Sequence, residues 1–517
     1  MKNVVKKYFS GVIFLSIAAI IAKIFSMLYK ILLQNLVGNI GFYIYQQIYP
    51  LYGIFLVLEL TGLPLYISQL LNDVDEGNKV RYCKKIYYLL TIVCFALFLV
   101  LEILSPLLAS YMHNHYLINM IRIISIMVLF VPFLSVVRGF TQSQLDMHLT
   151  GISQIVEQFC RVGFIILIAI LTVRFKFSLY RMGNLMMITT VLSSFIAVIT
   201  LILLIKFKKN RNPIFISGNS YVSNTISYNE LFLKIVQQGG TLFLIISIIV
   251  IFQLVDSFTV KGALLSAGYS SHHSEFLKSV YDRSQPIIQV GVVIFTSICT
   301  GLLPLLSKYK NKKQFNSALR LVKTTLRIGL VFAIFITLGI VFLMPILNKV
   351  LFNSVYGNST LAITCSSIVF IAYFLMNSIV IFQSRNYKYL LKIFFIGFLV
   401  KLFFNWIFVY RFGIVGAGII TLLSFITMDI FIFINKNIYE MKVFNLKQIL
   451  GLTLAVMFSG CVLYWIDNLI INLFVSRILL LLVLLLLISF LFLEVVILGH
   501  VFNIFNLKEL KNIERTL

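Results

Sequence analysis

Long apolar runs recur from one end of this chain to the other, many of them about eighteen residues or longer. A run of that length spans the hydrocarbon core of a bilayer as an α-helix. In lipid every backbone N–H and C=O must be satisfied within the crossing element, so only helices and closed barrels cross. The runs here are continuous and rich in Leu, Ile and Phe, without the alternation of a barrel strand. They predict an all-α polytopic membrane protein. At 60% hydrophobic and 12% charged over 517 residues, the chain is too apolar for a water-soluble fold of this size.

The segments fall at roughly 9–37, 41–71, 84–110, 116–140, 148–173, 183–206, 230–257, 280–307, 318–346, 358–383, 388–410, 413–435, 446–466 and 476–503. That makes about fourteen transmembrane helices. The first run is too long for a signal-peptide core and has no small-residue cleavage site, so it reads as a retained helix. An even count puts both termini on one side. Lys2, Lys6 and Lys7 precede the first helix and Lys508, Lys511 and Arg515 follow the last, which makes that side cytoplasmic. The basic loops "KVRYCKK", "KFKKNR", "KYKNKK", "RNYK" and "KNIYEMK" all fall inside on this count. "VRFKFSLYR" (173–181) is the exception and falls outside. The net charge of +26 is thus accounted for by the positive-inside rule, and no nucleic-acid partner is expected. Six scattered cysteines form no CxxC pair, so neither a disulfide framework nor a metal site is expected. No GxxxxGK[ST] phosphate loop occurs, and no cofactor is expected.

Two phrases match: "TGLPLYIS" at 61–68 and "TGLLPLLS" at 300–307. Upstream, each begins at a Tyr with Pro five residues later, as in Tyr45 to Pro50 and Tyr281 to Pro286, then runs through an apolar helix into a basic loop. On the fourteen-helix count these are helices two and eight. Six-helix spacing preserves orientation and predicts two six-helix lobes in parallel repeat, with a C-terminal helix pair appended. The expected divisions are a first lobe over 1–206, a cytoplasmic linker over 207–229, a second lobe over 230–437, and the terminal pair with its tail over 438–517. Doubled lobes suit alternating access.

Ionisable residues inside such helices cost about 2.5–3.5 kcal/mol each at mid-depth, so each needs a partner or water. Lys23 and Lys30 lie seven residues apart on one face of the first helix, and Lys401 lies in the eleventh. None has a carboxylate one turn away, so they are expected to face a wet, cationic interior that selects anions. Asp282 and Arg283 open the eighth helix. Glu59 and Asp429 are carboxylates within helices two and twelve, and Glu102 and Glu494 sit in three and fourteen. Arg138 and Arg327 are expected to snorkel to the cytoplasmic interface. Gln154, Glu157, Gln158 and Arg161 form one polar stripe on helix five. The stripe reads equally as a hydrated face for sugar hydroxyls or as interhelical packing, with Glu157 and Arg161 neutralising each other at i, i+4.

The stretches "LVGNIGFYIYQQIYPLYGIFLVLELTGLPLYISQLL", "RGFTQSQLDMHLTGISQIVEQFCRV", "YDRSQPIIQVGVVIFTSICTGLLPLLSKY" and "VKLFFNWIFVYRFGIVGAGIITLLS" resemble the polysaccharide-biosynthesis and stage V sporulation protein B type transporters of Gram-positive bacteria. These are relatives of the lipid II flippase MurJ in the multidrug/oligosaccharidyl-lipid/polysaccharide exporter superfamily. The resemblance implies flipping of an undecaprenyl-diphosphate-linked saccharide from the inner to the outer leaflet of the bacterial plasma membrane. It also implies cell-wall synthesis enzymes as partners. Lys23 resembles that family's first basic residue of helix one, and Asp282 with Arg283 resembles the Asp-Arg pair opening helix eight. Where the lipid II flippases carry a second Arg six residues after the first, this chain has Tyr29 and then Lys30, closer to the sporulation-protein branch.

On these grounds the expected substrate-binding residues are Lys23, Lys30, Arg161, Asp282, Arg283 and Lys401. Glu59, Gln154, Glu157, Gln158 and Asp429 are expected as polar or coupling groups of the cavity. Two alternatives stay open, an ion-coupled drug or cation antiporter of the same superfamily and a membrane scaffold that transports nothing. An enzyme is not expected: the loop histidines in "HNH" and "HH" have no acid pair beside them.

Overall fold

A computed structural model describes residues 2–144, 146–207, 227–293, 295–296, 315–434, 444–471 and 476–501, with most side chains from Ile24 onward. The Lys23 side chain, residues 208–226 of the linker, the phrase at 300–307 and the tail over 502–517 lie outside the described residues. Every regular element described is helical: α1 Lys2–Val57, α2 Leu63–Asn72, α3 Glu76–Tyr111, α4 Ile118–Ser125, α5 Val131–Ser143, α6 Met147–Phe175, α7 Leu179–Phe207, α8 Tyr228–Lys234, α9 Gly240–Ser266, α10 Ser271–Asp282, α11 Phe315–Phe342, α12 Met344–Phe352, α13 Asn358–Cys365, α14 Ser367–Gln383, α15 Tyr387–Ile434, α16 Leu446–Ile471 and α17 Arg477–Val501. Residues 284–293 are helical as well.

Nine stretches among the described residues are long and apolar enough to cross a bilayer. Two of them hold more than one leg. α1 has 56 residues, about 84 Å if straight at 1.5 Å per residue, well over twice a bilayer core. It turns at Gly38, whose φ of 72° and ψ of −174° fall in a region open essentially to glycine alone. Tyr29 and Tyr45, sixteen residues apart, meet there through their hydroxyls at 2.8 Å. A continuous helix would hold them about 24 Å apart. α15 folds back in the same way at Gly413 (φ 59°, ψ −146°). Across that fold the Tyr389 hydroxyl donates to Phe431 O. The apolar C-terminal helices α16 and α17 follow.

The helices are inside out relative to a soluble bundle. On α6, Phe159, Leu167 and Ile170 are exposed while Gln154, Glu157, Gln158 and Arg161 are buried. Lipid accepts the apolar face, and the polar face turns to protein, where it finds partners.

The chain divides into two compact units, residues 1–279 and 280–517. α8 and α9 lie in the first, where the Gln47 amide donates to Ser257 O at 2.5 Å. In the second unit, α16 and α17 pack on α11 and α12 through Val331, Phe335, Ile346, Leu452, Leu463, Leu484 and Leu487. Arg477 donates to Val350 O at 2.7 Å and Leu351 O at 3.2 Å, satisfying carbonyls at the end of α12. Glu494 accepts from Ser459 Oγ at 2.7 Å, which joins the two appended helices.

Candidate functional site

In the first unit α1 runs into α2 through a π-helical turn at Leu58–Gly62. Such turns widen the backbone ladder and are frequent at functional positions. Side chains take up two carbonyls of this turn: Arg138 Nη1 donates to Glu59 O at 3.1 Å and Gln154 Nε2 to Leu60 O at 3.1 Å. The same turn carries the Glu59 side chain inward, where it is fully buried.

Around it lies a closed charge cluster. Glu157 accepts from two guanidinium groups, Arg138 Nη2 at 2.7 Å on Oε2 and Arg161 Nη2 at 2.6 Å on Oε1. Arg138 Nε donates to Ser153 Oγ at 3.1 Å. Glu59 Oε1 lies 3.8 Å from Arg161 Nη2 and accepts a 3.4 Å hydrogen bond from Ser194 Oγ. All four charged side chains are 0% exposed. Two guanidinium groups face two carboxyl groups, and the balance is uneven at the atoms: Glu59 Oε2 and Arg161 Nε and Nη1 have no hydrogen-bond partner.

Aromatic rings extend this cluster toward Lys30. The Arg161 guanidinium lies 5.2 Å from the Tyr52 ring centre, Tyr52 is edge-on to Tyr49 at 5.1 Å, and Lys30 Nζ sits 3.3 Å over the Tyr49 ring. Cations over desolvated aromatic faces gain about 2 kcal/mol, which partly offsets their burial. Lys30 and Arg161 are thus strung along one wall of tyrosines supplied by the second leg of α1.

The second unit has its own group. Lys401 Nζ, fully buried on the first leg of α15, donates to Thr421 Oγ1 at 2.6 Å and Asn405 Oδ1 at 3.2 Å, with Ala417 O at 3.5 Å. Thr421 donates in turn to Ala417 O at 2.7 Å. The Tyr281 hydroxyl therefore donates to Thr421 Oγ1, at 3.2 Å. Tyr281 directly precedes Asp282 and Arg283 in the chain, so this bond ties the segment that carries them to the partner of Lys401. Arg283 is buried with Asn348 Oδ1 at 3.4 Å and the Phe352 ring 5.6 Å away. Asp429, further along α15, is buried, and neither carboxyl oxygen has a hydrogen-bond partner.

Some positions differ from the sequence reading. Arg138 does not snorkel: it is sealed between the π-helical turn and α6, and it holds that turn. An isolated carboxylate in helix two was the available signal, because Glu59 needed a cation from another helix. The tyrosine wall was legible only as apolar text. Gln154 and Gln158 are buried as the stripe implied, with Gln154 bound to backbone. Glu102 is met by Ser125 Oγ at 2.6 Å and Arg122 Nε at 3.8 Å. Among the described residues no group of His, Cys, Asp and Glu could hold a metal ion.

A chain whose described elements are all helical, turn lipid-compatible faces outward and enclose cations and carboxyls in each of two units has the build of a multi-pass membrane transporter. Comparison with known proteins agrees. The sequence pattern of a family described as "Polysaccharide biosynthesis protein" matches residues 9–310. The membrane protein YabM of Bacillus subtilis (strain 168) is 31% identical over 433 residues, 84% of this chain and 79% of YabM. The lipid II flippase MurJ of the same organism is 21% identical over 480 residues, 87% of this chain and 86% of its own length. Among solved structures, an inward closed conformation of the lipid II flippase MurJ matches with a TM-score of 0.65 at 16% identity, covering 95% of this chain and 98% of that one. An inward-facing multidrug resistance MATE transporter of the MOP superfamily matches with a TM-score of 0.58 at 13% identity, over 81% and 95%. The chain belongs to the polysaccharide biosynthesis protein family, with the MurJ and MATE type of fold.

Proposed function

We propose that this chain flips an undecaprenyl-diphosphate-linked saccharide intermediate of cell-wall or polysaccharide synthesis from the inner to the outer leaflet by alternating access. The observation that carries the reading is Arg161. It is a fully buried guanidinium with two nitrogens, Nε and Nη1, still free to donate. A diphosphate is the kind of ligand such a fork binds, through charge-assisted hydrogen bonds. The flippase relatives support a lipid-linked substrate, whose polyprenyl tail can remain in lipid while the head group crosses. In this reading Lys23, Lys30, Arg161, Asp282, Arg283 and Lys401 are the residues that bind the head group. Glu59, Gln154, Glu157, Gln158 and Asp429 line or couple the path, and both termini face the cytoplasm.

The test is reconstitution in liposomes containing polyprenyl-diphosphate sugars, with leaflet occupancy read by an impermeant modifying reagent. Wild type, Arg161→Met and Arg283→Ala are compared after each is shown to be folded. Movement in wild type that fails in both variants supports the reading. Movement indifferent to the substitutions removes these residues from the site. Absence of movement with every carrier overturns the flippase reading in favour of an antiporter or a scaffold.

A further inference from the structure

The buried cluster of the first unit holds one oxygen that its own partners leave unsatisfied. Both oxygens of Glu157 receive a guanidinium N–H, at 2.6 and 2.7 Å, so this carboxylate is fully served as an anion. Glu59 is not. Its Oε1 has only the 3.4 Å contact from Ser194 and a guanidinium nitrogen at 3.8 Å, and its enclosed Oε2 has no donor at all. An ionised carboxylate sealed from water without donors is strongly disfavoured. The two carboxyl groups share one guanidinium nitrogen, Arg161 Nη2, which lies 2.6 Å from Glu157 Oε1 and 3.8 Å from Glu59 Oε1.

We propose that Glu59 is a proton-binding site, with the proton on its carboxyl group, so that the four-residue cluster carries one positive charge when loaded and none when empty. The groups that face it settle the arithmetic. α5 contributes Arg138, α6 contributes Glu157 and Arg161, α7 contributes Ser194, and the second leg of α1 contributes Tyr52 beside Arg161. α2 brings Tyr66, whose ring lies against Gly239. α9 presents Phe243 to Gly62, while its charged residues, Asp256 and Lys261, lie toward the other end of that helix. With Glu157 held as an anion by both arginines, Glu59 is the member of the cluster free to change charge. Its backbone carbonyl is tied to Arg138 and its side chain to the π-helical turn, so gaining or losing the proton acts on the joint between α1 and α2. The free Nε and Nη1 of Arg161 sit in the same cluster, where the extra positive charge strengthens their attraction for an anion.

This inference does not depend on which head group the chain carries, and its test uses none. Infrared difference spectra of the reconstituted wild-type chain are recorded as the buffer is titrated from acid to neutral pH, in H2O and D2O. The expected result is a protonated-carboxyl C=O band with a deuterium shift, lost in Glu59→Gln and retained in Glu230→Gln, whose carboxylate is exposed and paired with Lys234. A band unchanged in Glu59→Gln overturns the proposal. If Glu59→Gln fails to fold, Glu59→Asp decides: a displaced band frequency supports the site, and an unchanged one overturns it. Because no lipid-linked sugar is present, a failure here is separate from a failure of flipping.

Discussion

Replacing Arg138 by Met tests whether the buried cluster builds the first unit. The substitution preserves length and apolar stem and removes three donations: 2.7 Å to Glu157 Oε2, 3.1 Å to Glu59 O and 3.1 Å to Ser153 Oγ. Glu157 keeps only Arg161, and one carbonyl of the π-helical turn loses its side-chain donor. Removing one partner of a buried ion pair costs about 3–5 kcal/mol, because the other charge stays enclosed. Arg122→Met supplies the contrast. The Arg122 side chain is 49% exposed and its nitrogen is 3.8 Å from Glu102, so its pair contributes about 1 kcal/mol or less. Unfolding is read by a thiol-reactive dye on heating in detergent, using Cys83, Cys94 and Cys365, which are buried in the folded chain. Arg138→Met is expected to lower the midpoint several times further than Arg122→Met. Equal, small shifts would refute the assignment of Arg138 to the framework of this unit.

Gly38→Ala places a side chain where φ is 72° and ψ −174°, and is expected to cost about 1–3 kcal/mol, seen as a lower unfolding midpoint and poorer yield. Lys401→Met replaces a buried ammonium held by neutral oxygens with an apolar chain of similar volume; stability is expected to change by under about 2 kcal/mol while flipping falls at least about tenfold, and unimpaired flipping would remove Lys401 from the head-group site. Single cysteines at His113 and Arg81 report sidedness in intact cells: an impermeant maleimide is expected to label position 113 and spare position 81, and the reverse pattern would invert the proposed orientation.

The sequence by itself determined the class of fold and most of the charged cast. Long apolar runs leave helices as the only solution in lipid, so the polytopic all-α architecture follows from backbone hydrogen bonding alone. The same physics marks every charge within a run, which is why Glu59, Glu157, Arg161, Lys401 and Asp429 could be singled out without coordinates. The i, i+4 pair of Glu157 and Arg161 was readable because it lies on one helix, and it does bond, at 2.6 Å. Partnerships between helices were not readable. That Arg138 turns inward to Glu157, that Glu59 shares Arg161, and that Tyr281 joins Lys401 through Thr421 all depend on which faces meet. Apolar periodicity distinguishes a protein-facing side from a lipid-facing one poorly, because both are apolar. The breaks between 9–37 and 41–71 and between 388–410 and 413–435 were readable as ends of apolar runs, and the backbone at Gly38 and Gly413 supplies the turns by which each long helix folds back. Local patterns register what a helix costs in lipid; the energy of a buried charge is set by neighbours far away in the chain, and tertiary packing alone supplies them.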